Sequence, residues 1–232
     1  MHIPDGYLGP PTYAAGYAAM IPVWATASRY LGRHLRARQV PLLAQGAAFC
    51  FVIMMFNVPF GGTTGHAVGA VLVAVLLGPW AACIAVSVAL IVQALLFGDG
   101  GVTAIGANCF NMALVMPFTG YAVYRLIAGR SGARASRRTI GAAIGGYVGL
   151  NFAALCAGIE FGLQPLLAHD AAGNALYAPY PLSVAVPALM AGHLLLFGFV
   201  EAAVTALVVV YLQRTEPALI ARPVPATSGA VT

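Results

Sequence analysis

The chain has 232 residues, of which 61% are hydrophobic and only 7% are charged. An ordinary soluble domain carries about 25% charged residues, and a single core cannot bury so much apolar surface. The composition therefore excludes a soluble, disordered or collagen-like chain and predicts a membrane protein. The formal net charge of +5 is then a matter of membrane topology rather than of nucleic-acid binding.

Seven apolar stretches define the predicted architecture, an all-α bundle of about seven transmembrane helices. The stretches are continuously apolar, which excludes the alternating strands of a transmembrane barrel. At about 20 residues per crossing, the chain has room for this number of helices. The predicted helices lie at roughly 7–28, 40–58, 66–78, 80–97, 101–128, 139–161 and 183–212.

Arginine placement orients these helices. All 11 basic residues are arginines, and positive charge marks the cytoplasmic side of a membrane. Seven crossings with the N-terminus outside and the C-terminus inside put every arginine in the cytoplasm, whereas six crossings do not. One transmembrane metal-binding domain is expected over 1–214, followed by a disordered cytoplasmic tail over 215–232.

The first two residues carry the most specific chemistry. The α-amine of Met1, the amide nitrogen of His2 and the ring Nδ1 of His2 can close two adjoining chelate rings on one metal ion. Nitrogen ligands in a plane suit Ni(II) or Cu(II), which prefer tetragonal geometry. The alternative is an ordinary histidine near a chain terminus that binds no metal.

A second histidine follows a glycine-rich loop. Residues 57–66 read NVPFGGTTGH, and the predicted topology puts His66 on the same side of the membrane as Met1. A polar ring at membrane depth usually faces a cavity or a partner. One nitrogen of His66 would complete a plane of four, while a helix-end histidine bonded to a carbonyl is the simpler alternative.

Several further polar groups lie inside apolar stretches. Asn108 and Asn111 share one helix face, where they either orient a ligand-bearing loop or bond helices together. Glu201 lies at mid-helix, where an ionised carboxylate is costly, so we expect it to be protonated or satisfied by amides such as that of Gln93. His193 is too far along the same helix to pair with it.

Four segments of the sequence resemble one family. They read MHIPDGYL, NVPFGGTTGHAVGAVL, LLGPW and QALLFGDGGVTAIGANCFNMALV. They are similar to the NikM/CbiM substrate-binding (S) components of energy-coupling-factor transporters for nickel and cobalt. The motifs cover residues 1–128, and the Pro4-Asp5 start and the GGTTGH loop are closer to the nickel branch.

The resemblance implies a metal site that binds the transported substrate, Ni(II) or Co(II). In this sequence the family's metal ligands correspond to the amine of Met1, the amide and ring of His2, and the ring of His66. Three polar residues in the same motifs are further candidates for contacts that support these ligands: Asp5, Thr64 and Asn108.

The resemblance also implies a subunit without enzymatic activity, located in the cell (inner) membrane. Such S components work with a transmembrane coupling component, two cytoplasmic ATPases and often a small accessory membrane subunit. The chain has no P-loop motif, which agrees with this division of labour. Two alternatives stay open, a cobalt-specific S component and a stand-alone secondary permease, although a permease usually shows more intramembrane acids or an inverted repeat.

Overall fold

The structure is a computed structural model that describes residues 1–61 and 63–221. Most of this part of the chain is helical. Its α-helices are α1 (Pro10–His34), α2 (Val40–Met54), α3 (Ala70–Leu77), α4 (Pro79–Val92), α5 (Ile105–Cys109), α6 (Met116–Ala128), α7 (Ser136–Gly162), α8 (Gln164–Leu167), α9 (Leu182–Gly192), α10 (Gly198–Thr215) and α11 (Pro217–Ala221). A 3-10 turn, Ala37–Gln39, leads into α2.

Proline sets the start of several helices. Pro10, Pro41 and Pro79 lie in the first turn of α1, α2 and α4, where a missing N–H costs little and the fixed φ of proline suits a helix. All seven predicted stretches contain helix, but their ends differ. α1 continues past residue 28 because its last turn holds Arg33 and His34, which favour a helix C-terminus.

Four continuous helical stretches within the described residues have the length and apolar composition to cross a membrane. They are Ala37–Met54, Pro79–Phe97, Ser136–Leu167 and Leu182–Thr215. The chain is therefore a membrane-spanning protein with a mostly helical fold, as its composition predicts.

The helix predicted over 66–78 is much shorter in the structure. α3 has eight residues, about 12 Å at 1.5 Å per residue, and does not cross a hydrocarbon core of about 30 Å by itself. Residues 66–69 are non-helical and buried, and Gly69 has a φ of 75°, which glycine adopts without strain. Non-helical backbone at membrane depth needs protein partners for its polar groups.

α3 forms the centre of the bundle. Residues 70–75 are all buried, and α4, α6, α7 and α10 pack around them. α6 and α7 approach closely because Gly120 faces Gly145 and Gly149, where an added Cβ would meet backbone atoms. Small residues at a helix crossing allow this tight packing in membrane proteins.

A β-hairpin interrupts the helical chain, which the all-α prediction did not include. β1 (Val58–Phe60) pairs antiparallel with β2 (Thr63–Gly65). Helix α2 ends at Met54, before the predicted end at 58, because proline at position 59 cannot continue a helix. Gly65 lies against the Phe197 ring, where an added Cβ would clash with the ring carbons.

In the described part of the chain, three π-helical turns continue or interrupt longer helices, and each holds a buried polar residue. The turns are Gln93–Phe97, Phe110–Val115 and His193–Phe197. Their buried polar residues are Gln93, Asn111 and His193. π turns are rare and occur frequently at functional sites. Their presence beside these buried polar residues therefore indicates that a functional site lies in the interior of the bundle.

The predicted disorder of the tail does not extend to its first residues. Pro217–Ala221 forms α11, and Ile220 is buried. Arg138 donates hydrogen bonds to the Ile220 carbonyl at 2.9 Å and to the Tyr124 hydroxyl at 2.8 Å. These contacts hold α11 against the bundle. The rest of the predicted tail, 222–232, lies outside the described residues.

Candidate metal-binding site

The N-terminal segment folds back into the helical bundle, with Met1 and Ile3 buried. Asn108 binds Ile3 with both ends of its amide. Its Oδ1 accepts from the Ile3 N–H at 2.9 Å, and its Nδ2 donates to the Ile3 carbonyl at 3.1 Å. Further along, Gln164 accepts from the Gly9 N–H at 2.8 Å. Asn108 therefore contacts the segment that carries the predicted ligands rather than the ligand atoms themselves.

Asp5 fixes the exposed part of the same segment. Its carboxylate accepts hydrogen bonds from the Thr103 hydroxyl and from the N–H groups of Thr103 and Val102, the last two at 2.8 and 3.0 Å. These bonds, chiefly that of the Thr103 hydroxyl, lower the pKa of Asp5. Gly101 lies so close to Asp5 that an added Cβ would clash with the Asp5 main-chain nitrogen. Asp5 thus anchors the segment to the loop before α5.

The α-amine of Met1 is buried beside the hairpin. It donates to the Thr64 carbonyl at 3.0 Å, so Thr64 contributes its main chain, while the residue itself is exposed. Burial lowers the pKa of the Met1 amine to about 5, and the charge of Asp99 acts in the opposite direction. The amine is therefore uncharged at neutral pH and keeps a lone pair.

The rings of His2 and His66 meet in the interior. Nδ1 of His2 lies 3.0 Å from Nε2 of His66, and the two side chains are almost fully buried. Burial lowers the pKa of His2 to about 4, so its ring is uncharged at neutral pH.

The other nitrogen of each ring determines where the protons lie. His2 Nε2 is 3.2 Å from the Gln93 Oε1, and His66 Nδ1 is 3.0 Å from the Ala67 carbonyl. Carbonyl oxygens only accept, so we assign the proton to these two nitrogens from their partners. The facing nitrogens, His2 Nδ1 and His66 Nε2, then each present a lone pair, and two such lone pairs repel unless a cation binds both.

The spacing of these two nitrogens fits adjacent ligands on one metal ion. Bonds of about 2.0–2.1 Å, the length typical of zinc–nitrogen bonds, would place neighbouring nitrogens about 2.9 Å apart in a square-planar site, and the observed separation is 3.0 Å. Among the described residues, no three histidine, cysteine, aspartate or glutamate side chains form a conventional metal site. The additional nitrogens beside the two rings belong to the main chain, at Met1 and His2.

Two residues of the site were not predicted to contact the ligands. Gln93 orients the His2 ring, and its own Nε2 donates to the Phe51 carbonyl at 3.2 Å. Asp99 places Oδ1 3.5 Å from His2 Nδ1. Both residues lie in the motif QALLFGDGG, which was already part of the family resemblance. Nothing in the motif itself indicates that this loop contacts residue 2.

Glu201 supports the segment that carries His66 from the opposite side. Its carboxylate accepts from the Val68 N–H at 2.7 Å and from the Gly69 N–H at 3.1 Å, and the Thr205 hydroxyl donates to it at 3.3 Å. The side-chain amides expected as its partners bond elsewhere. Main-chain N–H groups take their place because those at a helix start have no partner within their own helix.

Apolar spanning helices around a buried cluster of nitrogen groups define an integral membrane protein with a polar interior. The chain belongs to the family described as "Cobalt uptake substrate-specific transmembrane region", whose model matches residues 2–219. The family membership inferred from the sequence motifs is confirmed.

Named relatives and a solved structure agree with this assignment. The chain is 57% identical, over 95% of its length, to the fused nickel transport protein NikMN of Rhodobacter capsulatus. It is 51% identical, over 94%, to the probable fused nickel transport protein LarMN of Lactiplantibacillus plantarum. It spans 64% and 66% of these two relatives. The crystal structure of a truncated transition metal transporter matches with a TM-score of 0.88 at 54% identity, covering 93% of this chain and 99% of that one.

Proposed function

We propose that this protein is the substrate-binding component of an ATP-driven uptake system for Ni(II), with Co(II) as the alternative substrate. The observation that carries the proposal is the pair of facing ring nitrogens of His2 and His66, 3.0 Å apart. Two relatives named as nickel transport proteins favour nickel, while the family description names cobalt.

Four nitrogens would hold the ion in one plane. They are the amine of Met1, the amide nitrogen and Nδ1 of His2, and Nε2 of His66. The amine and the His2 ring need no deprotonation at neutral pH, whereas the amide releases its proton to solvent as the metal binds. Binding therefore weakens as the pH falls. A plane of nitrogen donors suits Ni(II) better than metals that prefer tetrahedral or oxygen-rich sites.

We also infer seven membrane crossings, with the N-terminus outside and the C-terminus in the cytoplasm. Four are the long apolar stretches, and two more are α1 and the continuous helical region 105–128. The seventh would be residues 66–69 together with α3. The eight helical residues would cover about 12 Å of the crossing at 1.5 Å each, and the buried, non-helical residues 66–69 would extend it. This arrangement gathers the arginines on the cytoplasmic face.

The energy for transport would come from partners rather than from this chain. We propose a transmembrane coupling component, two cytoplasmic ATPases and a small accessory membrane subunit as those partners. The chain itself would act without enzymatic activity, binding the ion and releasing it when the partners change its orientation in the membrane.

Inactivating the partner ATPases distinguishes this proposal from a stand-alone permease. Cells with the chain and all partners are expected to accumulate radioactive nickel, and cells with ATPases mutated at the P-loop lysine are expected to lose uptake. The purified chain should still bind Ni(II), because its nitrogens need no ATP. Competition with Co(II) in the same binding assay measures metal preference. ATP-independent uptake by the chain alone would instead identify a permease.

A further inference from the structure

Asp99 lies beside the proposed metal ligands but is not one of the four nitrogen donors. It lies in the loop between the π turn at Gln93–Phe97 and α5, and its N–H donates to the Gln93 carbonyl at 3.1 Å. Gly98 and Gly100 flank it with φ of 66° and 87°, left-handed conformations that glycine adopts readily. The loop conformation directs the Asp99 carboxylate to within 3.5 Å of His2 Nδ1.

Asp99 is also more exposed than the two histidine rings beside it. Its side chain is 25% exposed, against 4% for His2 and 2% for His66. Gly100, next to it, lies against the His2 ring, since an added Cβ would be 3.3 Å from His2 Cδ2. A hydrated cation approaching the buried nitrogens from solution on this side therefore meets a carboxylate first.

The charge of the loaded site gives this carboxylate a second role. A divalent cation on an uncharged amine, two uncharged rings and one deprotonated amide keeps a single positive charge. Burying an uncompensated charge is costly, and one carboxylate next to the site cancels it. Asp99 is close enough to do so, because its Oδ1 lies 3.5 Å from the His2 Nδ1 that would bind the ion.

We propose that Asp99 receives the hydrated divalent cation at the mouth of the site and then neutralises the charge of the bound complex. This inference rests on the proposed function, in which the nitrogens of Met1, His2 and His66 bind the ion. The cation exchanges water for the carboxylate first and for nitrogen afterwards. Asp99 thereby determines how fast the ion enters and favours divalent over monovalent ions.

The test is the rate of Ni(II) association with the purified full chain, followed by stopped-flow absorbance of the nickel–amide complex. For wild-type protein the rate should fall as salt is raised, because ions screen an exposed charge. Asp99→Asn should slow association by about tenfold and flatten the salt dependence. It should weaken equilibrium affinity by about 10–100-fold. Asp99→Glu, which keeps the charge, should retain most of the rate.

A matched control removes another carboxylate of equal charge. Asp170 lies in an exposed turn, where its carboxylate accepts hydrogen bonds from Ala172 and Asn174 of the same loop. Asp170→Asn should bind Ni(II) at the wild-type rate. If Asp99→Asn fails to fold, the wild-type salt dependence and the Asp99→Glu rate decide the question.

Each outcome separates this inference from the function on which it rests. Wild-type rate and salt dependence in Asp99→Asn, or a wild-type rate independent of salt, would overturn the role of Asp99 and leave metal binding intact. Failure of the wild-type chain to bind Ni(II) would overturn the proposed function itself.

Discussion

One extra residue ahead of Met1, or acetylation of its amine, is expected to abolish high-affinity nickel binding although every side chain stays in place. Either change converts a basic amine into an amide, which is a poor ligand while it keeps its proton. The Met1 amine is also buried and bonded to the Thr64 carbonyl, so added atoms have no room without displacing the segment. An ordinary histidine site would be indifferent to this change.

The measurement is nickel binding by calorimetry on chains with native, extended and acetylated N-termini, purified at equal yield. A tag at the C-terminus serves as the control, because it leaves the Met1 amine free and should leave affinity unchanged. Undiminished binding by the extended chain would contradict the chelate and assign His2 an ordinary structural role.

Replacing His66 with alanine is expected to weaken nickel affinity by more than the roughly 10–100-fold that is typical of residues behind the ligands. The variant loses one of the four proposed nitrogens. It should still fold, because other bonds hold the segment that carries residue 66. Glu201 binds the N–H groups of Val68 and Gly69, and the hairpin pairs Gly65 with Val58.

Equilibrium dialysis with Ni(II), together with thermal unfolding in detergent, measures both effects in one preparation. His169→Ala is the matched control, since His169 is exposed in the loop before α9 and should have no influence on either. If His66→Ala held one nickel per chain at unchanged affinity, His66 would be a helix-end histidine that only bonds the Ala67 carbonyl.

Much of this architecture was predictable from local sequence. Continuous apolar stretches predicted seven regions, and each of them contains helix in the structure. Met1, His2 and His66 could be predicted to share one site, because a terminal amine and two imidazole rings can bind metal and because their motifs resemble one family. In the structure the His2 and His66 rings are adjacent and the Met1 amine is bonded to Thr64, two residues before His66, while their role as metal ligands stays a prediction.

The remaining features depend on contacts distant in sequence. The short α3 and its non-helical start at 66–69 are held by Glu201, 132 residues beyond Gly69, and no periodicity in 66–78 reveals that partner. Gln93 contacts His2 across a separation of 91 residues. The π turns likewise leave no apolar pattern different from that of an ordinary helix.

X-ray absorption at the nickel edge, on the purified chain with a free Met1 amine, tests the central claim most directly. The account predicts one tightly bound nickel per chain in a planar environment of four nitrogens, two of which show imidazole scattering. It further predicts loss of one imidazole contribution in His66→Ala. A six-coordinate spectrum dominated by oxygen, unchanged by acetylation of the amine, would contradict it.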